Sequence, residues 1–267
     1  MRFCKMNGLG NDYIFVYQPE EDEITNPESM AKRLSVRQFS IGADGLVIID
    51  KSPVADFKMR IFNADGTEAT MCGNAIRCVA KYVYDRGLIT KNEVAIQTLA
   101  GIRKLTISPL SGLADTISVD MGIPKMLKLN GHCAVDYSLT TSFGEIIVSP
   151  IDMGNPHAVY FTNTIGKTER EIIKEISHSF PDGINAEAAR IIDKHNIEMI
   201  VYERGSGETL ACGTGASAVM FAAFVKGFVA QSVTVHLAGG KLDISYKAGR
   251  IFMSGKAEYN FQGEVNI

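Results

Sequence analysis

The sequence predicts an α+β fold of two pseudo-symmetric domains, each a curved, mostly antiparallel or mixed sheet wrapped around one central buried helix. A site is expected at the interface between the two domains. Three observations support this prediction. Most of the chain consists of short apolar runs separated by turn residues, which is typical of strands. Two helix-like segments are apolar on nearly every side, as buried helices are. The elements around these two segments recur in the same order.

The predicted strands are apolar or alternating runs rich in Val, Ile, Tyr and Phe, bounded by Gly, Pro, Asn, Asp or Ser. Together they account for most of the patterned sequence, so sheet dominates the predicted fold. The predicted strands are Tyr13–Tyr17, Gly45–Asp50, Phe57–Phe62, Val94–Thr98, Arg103–Ser108, Thr116–Asp120, Glu145–Ser149, Ala158–Phe161, Met199–Tyr202, Ser232–Leu237 and Leu242–Tyr246.

Two amphipathic helices are predicted. Pro27–Phe39 carries an acidic residue in its first turn and Lys and Arg later, an order that complements the helix dipole. Lys167–Phe180 places Ile172, Ile176 and Phe180 on one face, at helical spacing. Each of these helices therefore has one face to bury.

Two further helices, Gly73–Arg86 and Gly213–Lys226, are rich in small and apolar residues on nearly all sides. Such a helix is usually buried completely. Each is followed by a glycine, Gly87 or Gly227, which is a common residue just after a helix end. These two segments are the predicted central helices of the two domains.

The two central helices belong to an internal repeat. Aligning Cys72 with Cys212, at an offset of 140, brings matching residues together over most of each half. Duplicated domains are the simplest explanation, and a site between them is expected. The predicted domains are residues 1–115 with 254–267, and residues 116–253. The aligned pairs include Glu68 with Glu208, Gly73 with Gly213, Val79 with Val219 and Gly87 with Gly227.

Composition excludes several classes of protein. Lys and Arg number 27 against 30 Asp and Glu, so the net charge of −3 disfavours a nucleic-acid binder. No stretch of 18 apolar residues predicts a membrane span, and the N-terminus lacks the apolar core of a signal peptide. A cytoplasmic protein is expected, with a small molecule as its partner and neither nucleic acid nor membrane. A homodimer is one possible assembly, and the sequence does not decide the oligomeric state.

The five cysteines predict neither disulfides nor a metal site. Their number is odd, no C-x-x-C occurs, and the spacing of Cys72 and Cys78 matches no common zinc pairing. Cys4, Cys78 and Cys133 are predicted to be structural. His132, His178, His195 and His236 show no catalytic or metal pattern and are predicted to be structural or solvated.

Cys72 and Cys212 differ from the other cysteines because each directly precedes a buried helix. The positive end of the helix dipole is expected to lower the pKa of such a thiol, and the free N–H groups of the first turn can bind a carboxylate. If both thiols reached one α-carbon, one could remove its hydrogen while the other donated a proton to the opposite face. Such an inversion needs no cofactor, and the thiols would titrate as a coupled pair.

Six motifs contain or surround these residues: GLGNDYI (8–14), GADGL (42–46), FNADGTEATMCGNAIRC (62–78), MGNPH (153–157), YERGSGETLACGTGASA (202–218) and AGGKL (238–242). In these motifs the chain resembles the diaminopimelate epimerases over nearly its full length. The resemblance implies stereoinversion of L,L-diaminopimelate to the meso form by a two-base thiolate/thiol mechanism, in lysine and peptidoglycan-precursor synthesis. It implies no cofactor and no metal.

The resemblance also implies a role for each matching residue. Cys72 and Cys212 would be the acid–base pair, with His157 supporting the site of the second domain. Two positions depart from the family: Gly45, where some relatives place Gln near the substrate amino group, and Ala188, where a bulkier apolar residue is common. The reacting carboxylate would be bound by Gly73, Asn74, Gly213 and Thr214, the reacting end by Asn11, and the distal groups of the substrate by Asn63, Asn155, Asn185, Glu203 and Arg204.

Other functions fit parts of the pattern. A racemase of another amino acid, such as histidine or glutamate, would use the same scaffold, but the Glu203–Arg204 pair favours a substrate with a second amino-acid head. A dithiol redox switch or an amino-acid-binding protein is disfavoured by the missing C-x-x-C and by the two helix-borne thiols. A cysteine hydrolase is disfavoured because no histidine stands out as its base.

Overall fold

The computed structural model describes residues 1–129, 132–133 and 135–266. It divides the chain into two compact units, which are described separately below. Unit 1 comprises Met1–Val119 and Gly255–Ile267, and unit 2 comprises Asp120–Ser254. The sequence placed these divisions at 115/116 and 253/254. In the described part of the chain, every helix is too short or too polar to cross a membrane.

The elements are named in chain order. They are β1 (Arg2–Gly8), β2 (Asn11–Tyr17), a 3-10 turn (Gln18–Glu20), α1 (Pro27–Leu34), β3 (Gly45–Lys51), β4 (Phe57–Asn63), β5 (Glu68–Ala69), α2 (Gly73–Asp85), β6 (Glu93–Thr98), β7 (Gly101–Leu110), β8 (Leu113–Gly122), β9 (Lys125–Met126), β10 (Lys128–Leu129), β11 (His132–Cys133), β12 (Tyr137–Thr141), β13 (Gly144–Asp152), β14 (Pro156–Phe161), α3 (Lys167–His178), β15 (Asn185–Asp193), β16 (Asn196–Glu203), β17 (Gly207–Thr209), α4 (Gly213–Val225), β18 (Ser232–Leu237), β19 (Gly240–Lys247), β20 (Arg250–Gly255) and β21 (Glu258–Glu264).

The sheet of unit 1 has the strand order β21-β1-β2-β3-β4-β6-β7-β8, with β5 also paired to β4. The β2–β3 and β4–β6 pairs are parallel, and the other pairs are antiparallel. Helix α1 packs against β3 and β4, while α2 packs against β1, β2 and β7. The predicted mixed sheet is therefore present in this unit.

The sheet of unit 2 has the order β12-β13-β14-β15-β16-β18-β19-β20, with β17 paired to β16 and β9 to β13. Its parallel pairs, β14–β15 and β16–β18, occupy the places that β2–β3 and β4–β6 occupy in unit 1. Even the register repeats, because Tyr13 pairs with Gly45 in unit 1 and His157 with Asn185 in unit 2. The predicted α+β class and the internal repeat are confirmed.

The central helices are buried as predicted. In α4, Gly213 and every residue from Gly215 to Ala223 are buried, so no face of these turns is open to water. The helix contacts strands from β13 round to β19, and the sheet of unit 2 is wrapped around it. Small side chains allow this close approach. In α2 the residues from Gly73 to Ala80 are likewise buried, and this stretch includes a charged residue, Arg77.

The two amphipathic helices end earlier than predicted. Helix α1 stops at Leu34 instead of Phe39, because the N–H groups of Gly42 and Ala43 bind the carbonyls of Leu34 and Ser35 and turn the chain back. Helix α3 stops at His178 and buries Ile172, Ile173 and Ile176 against its sheet, as predicted. Its start and its buried face are therefore as predicted.

β1 and β15 are two of the strands that the sequence pattern did not predict. β1 contains Lys5, whose burial breaks the apolar pattern, and β15 begins Asn-Ala-Glu-Ala-Ala, a composition with low strand propensity. Both are buried inside their sheets over most of their length. Lys5 is neutralised by Asp12 at 2.8 Å, so its burial is tolerated. Ala188 of β15 is fully buried in one cluster with the isoleucines of α3, so this residue is part of the core.

Candidate functional site

In unit 1, Cys72 is the residue that begins α2. Its backbone is extended (φ −137°, ψ 122°), which ends the preceding loop and starts the helix at Gly73. The thiol is half-buried, and its Sγ lies 3.4 Å from Oδ1 of Asn11, to which it donates. Nδ2 of the buried Asn74 approaches the same oxygen at 3.5 Å. Asn11, Cys72, Gly73 and Asn74 therefore form one cluster at the start of α2.

Asp44 fixes the orientation of the Asn11 amide. Its Nδ2 donates to Oδ2 of Asp44 at 2.8 Å, so its Oδ1 must point the other way, toward Cys72. Arg37 bridges Asp44 and Asp12, with 2.7 Å contacts to both carboxylates. Burial favours the neutral form of Asp12, but Arg37 and Lys5 outweigh it and hold the pKa of this carboxyl below its usual value.

Arg77, one turn into α2, is fully buried and was not singled out from the sequence. Its guanidinium donates to the carbonyl of Gly73 at 3.1 Å and to Oδ1 of Asn74 at 3.0 Å. It thus fixes the first turn of the helix and the Asn74 amide. Burial lowers the pKa of Arg77, whereas attraction to the thiolate forms of Cys78 and Cys72 raises it. A positive charge on Arg77 therefore favours a thiolate at Cys72.

In unit 2, Cys212 begins α4 in the same extended conformation (φ −124°, ψ 113°). Its Sγ accepts the N–H of Gly215 at 3.3 Å and lies 3.4 Å from the hydroxyl of Thr214. The residue is only 6% exposed. Burial, followed by the charges of Glu203 and Glu187, raises the pKa of this thiol well above its ordinary value. The expectation that the helix dipole lowers the pKa is wrong for Cys212, because desolvation and two carboxylates outweigh the helix.

Glu203 lies at the Cys212 thiol, with which it forms a hydrogen bond, and it also accepts the hydroxyl of Thr209. Burial raises its pKa, and those hydrogen bonds only partly offset the effect. Its neighbour Arg204 is exposed and directs its guanidinium to the carbonyl of Asp182 at 3.4 Å. The two residues that the resemblance assigned together to the distal end of a substrate therefore face different surroundings.

A second cluster connects Asn155 to the Cys212 thiol through Thr214. Its Nδ2 donates to the hydroxyl of Thr214 at 3.3 Å, and its Oδ1 faces Nε2 of His157 at 3.1 Å. Nδ1 of His157 contacts Oε1 of Glu187 at 2.7 Å. Glu187 was missed from the sequence. An acidic residue within the run of small apolar residues on β15 was the available signal.

The remaining predicted ligands are engaged with the backbone or with turns. Asn185 donates to the carbonyl of Pro156 at 2.9 Å and accepts the N–H of Arg204 at 3.0 Å, so it ties β15 to both flanking segments. Asn63 bonds to Thr67 across a loop. Gly45 leaves no room for a side chain, since a Cβ there would lie 2.0 Å from the carbonyl oxygen of Phe62. The ligand roles of Asn63 and Asn185 remain predictions.

The burial of the other described cysteines and histidines agrees with the prediction that they are structural or solvated. Cys4 and Cys78 are buried, and burial raises the pKa of Cys78 to about 12. His178 and His195 are exposed and His236 is half-buried, each bonded to a backbone or side-chain oxygen. The side chains of Cys133 and His132 lie outside the described residues.

Each unit therefore presents a thiol, the N–H groups of a helix first turn, and an asparagine, which contacts the thiol directly in unit 1 and contacts the Thr214 hydroxyl beside the thiol in unit 2. The helix N-terminus can hold a carboxylate, in unit 1 through Gly73 and Asn74 and in unit 2 through Gly213 and Thr214. The thiol can exchange a proton with a carbon next to that carboxylate.

Comparison with solved structures identifies the fold class. A phenazine biosynthesis protein of the PhzF family from Bacillus anthracis superposes with a TM-score of 0.76 at 15% identity, covering 100% of this chain and 99% of the other. A probable proline racemase from Agrobacterium radiobacter gives 0.74 at 15% identity, covering 100% and 93%. The chain thus has the duplicated fold that these proteins share.

Sequence comparison identifies the family within that fold. The family model described as diaminopimelate epimerase matches residues 3–127 and 150–260. A diaminopimelate epimerase from Methanococcus maripaludis is 45% identical over 100% of both chains. The chain belongs to the diaminopimelate epimerase family.

Proposed function

We propose that this protein inverts one α-carbon of diaminopimelate, interconverting the L,L and meso forms, with Cys72 and Cys212 as its two acid–base groups. The activity would serve lysine and peptidoglycan-precursor synthesis in the cytoplasm. The observation that carries the proposal is the recurrence of one arrangement in both units: a cysteine in extended conformation that begins a buried helix. Full-length membership of the family supports the choice of substrate.

The chemistry follows from what each half-site offers. One thiolate removes the α-hydrogen, and the other thiol donates a proton to the opposite face, so the configuration inverts. The carboxylate next to the reacting carbon is bound by first-turn N–H groups, which stabilise the charge that develops on deprotonation. The proposal requires both sulfurs to reach the same α-carbon in the reacting complex.

The electrostatics of the half-sites assign the resting protonation states. Burial and two neighbouring carboxylates keep the pKa of Cys212 high, so this thiol retains its proton at neutral pH. Cys72 is more exposed and lies near the positive charge of Arg77. We therefore assign Cys212 as the proton donor of the resting enzyme, and Cys72, the more exposed thiol near Arg77, as the base in that form.

Recognition of the substrate would use opposite charges at its two ends. The resemblance assigned Glu203 to the distal groups of the substrate, but because this residue lies beside Cys212 we propose that it receives the ammonium group on the reacting carbon. The exposed guanidinium of Arg204 offers a bidentate partner for a distal carboxylate. Asn155 already holds the Thr214 hydroxyl and is near enough to the thiol to contact a bound amino acid.

The test is a stereochemical assay in deuterated water. Product formed early should carry deuterium at the inverted carbon, while recovered substrate at low conversion should carry little, because the incoming proton comes from the other, solvent-exchanged thiol. Cys72→Ala and Cys212→Ala should each abolish inversion. Cys4→Ala, a buried cysteine on β1, is the matched control and should remain active.

Three outcomes would reject the proposal. Inversion that survives in either cysteine variant would rule out the two-base mechanism. Faster turnover of histidine or glutamate than of diaminopimelate would favour the competing racemase. Binding of diaminopimelate without any exchange at the α-carbon would indicate a binding protein.

A further inference from the structure

Unit 2 contains a carboxylate and an imidazole that are both completely buried. Glu187 on β15 and His157 on β14 are each 0% exposed, and Oε1 of Glu187 lies 2.7 Å from Nδ1 of His157. Oε2 of Glu187 has no hydrogen-bond partner among the residues that the structure describes. Burying a carboxylate is costly, so a single strong hydrogen bond to a histidine needs a reason beyond packing.

The first consequence of this pair concerns the protons on His157. An ionised carboxylate only accepts hydrogen bonds, so Nδ1 must carry a proton. Oδ1 of Asn155, which also only accepts, faces Nε2 at 3.1 Å. Nε2 therefore donates to Asn155, and Glu187 and His157 form one buried hydrogen-bonded pair.

The second consequence follows along the chain of hydrogen bonds. Because Oδ1 of Asn155 is taken by His157, its Nδ2 is turned to the hydroxyl of Thr214, to which it donates. The hydroxyl oxygen of Thr214 then accepts from Asn155, and its proton is left for Sγ of Cys212 at 3.4 Å. Every donor in this series points from His157 toward the sulfur.

The local structure explains why the carboxylate stays in place. Glu187 lies against the first turn of α4, where the positive end of the helix favours an anion. Gly215 makes the space for it, since a Cβ at that position would lie 2.6 Å from Oε1 of Glu187. The absence of a side chain at Gly215 in α4 therefore leaves room for the Glu187 carboxylate from β15.

We propose that Glu187 is a positioning residue: by holding Nδ1 of His157, it sets the direction of the hydrogen bonds through Asn155 and Thr214, so that Thr214 donates to Cys212. Without the carboxylate, Nδ1 loses its partner and the ring can adopt the tautomer in which Nε2 accepts a hydrogen bond, so the Asn155 amide can turn. The Thr214 proton then goes to Asn155 instead of the sulfur. This inference rests on the proposed function, because it concerns the thiol that exchanges the α-proton.

The experiment combines kinetics with NMR of protein labelled with ¹⁵N-histidine. The variants are Glu187→Leu, which removes the acceptor, and Glu187→Gln, which keeps an acceptor oxygen. Glu198→Gln is the matched control, since Glu198 lies on the neighbouring strand β16 and pairs with Arg190 at the surface. His157 is assigned by loss of its signals in His157→Asn.

We expect kcat for diaminopimelate to fall about tenfold or more in Glu187→Leu, because the loss of one hydrogen bond at the reacting sulfur corresponds to about that factor. The fall should be smaller in Glu187→Gln and absent in Glu198→Gln. In the wild type, Nδ1 of His157 should carry a proton protected from solvent exchange, and this signal should be lost in Glu187→Leu.

Two results would overturn the inference while leaving the proposed function intact. One is a folded Glu187→Leu enzyme with wild-type kcat. The other is a wild-type spectrum in which Nδ1 of His157 carries no proton, a result that needs no variant to fold. An inactive wild-type enzyme would instead reject the proposed function itself.

Discussion

Gly215→Ala should have two opposing effects on the stability of the protein, one from helix propensity and one from a steric clash. Alanine is the better helix former by about 1 kcal/mol, so at an open helix position the substitution would stabilise the protein. At position 215 the new Cβ would lie 2.6 Å from Oε1 of Glu187, about 0.8 Å closer than the 3.4 Å at which ordinary contact begins. Glu187 is fully buried and cannot swing into solvent, so its carboxylate must move within the core.

The size of the net effect follows from the bond that is lost. Moving Oε1 by about 0.8 Å would stretch its 2.7 Å contact with His157 beyond hydrogen-bond length. A hydrogen bond to a charged group contributes about 1.5–3 kcal/mol, so the balance against the helix gain is a destabilisation of about 0.5–2 kcal/mol. At about 2–4 °C per kcal/mol, the melting temperature should fall by roughly 1–8 °C.

The assay is thermal unfolding together with kcat, measured for a double-mutant cycle. In the Glu187→Ala background the obstructing carboxylate is absent, so adding Gly215→Ala should stabilise the protein by about 1 kcal/mol. Gly215→Ala alone should lower both the melting temperature and kcat. A single variant that melts about 2–4 °C higher than wild type with full activity would refute the reasoning.

Two further predictions concern the neighbours of this helix. Arg204→Met should lower kcat/KM for diaminopimelate about 10- to 150-fold, because a charge-assisted carboxylate contact is worth about 1.5–3 kcal/mol. The control, Arg190→Met on the surface of β15, should change kcat/KM little. Equal losses in both variants would contradict the assignment of Arg204. Glu203 has a pKa raised above 4.5 by burial, so its contribution to stability is complete below pH 4.5 and is lost as the pH rises through the folded-state pKa. In urea unfolding, the free energy of unfolding of Glu203→Gln should therefore increase relative to that of the wild type as the pH rises. A difference that does not change with pH would contradict the raised pKa.

The sequence predicted the parts of the fold that local chemistry determines. Gly73 and Gly213 were placed correctly as the first helical residues, because a cysteine, a glycine and an apolar small-residue run mark a buried helix start. β15 was missed because Ala and Glu carry no strand pattern, and its burial depends on β14 and β16 on either side. Tertiary pairing, not propensity, makes it a strand.

The candidate site, like the fold, could be predicted only in part from the sequence. Both thiols could be found from their position before a helix, yet the direction of the pKa shift at Cys212 could not. That direction depends first on burial of the thiol and then on the charges of Glu203 and Glu187, which come from different strands and approach the thiol only in the folded unit. The support of Asn11 by Asp44 and Arg37 is equally non-local, since loop closure brings these residues together.

The discontinuity of unit 1 has a consequence for synthesis of the chain. β1 pairs with β2 on one side and with β21 on the other, and all of unit 2 is translated between β8 and β21. About 250 residues separate Gly8 from Glu258, so at about 5–20 residues per second the outer edge of β1 waits roughly 12–50 s for its partner on the ribosome. Unit 2, which is continuous in sequence, can close before that strand arrives. The half of the protein that is made first is therefore the half that is completed last, and an open strand edge is exposed meanwhile.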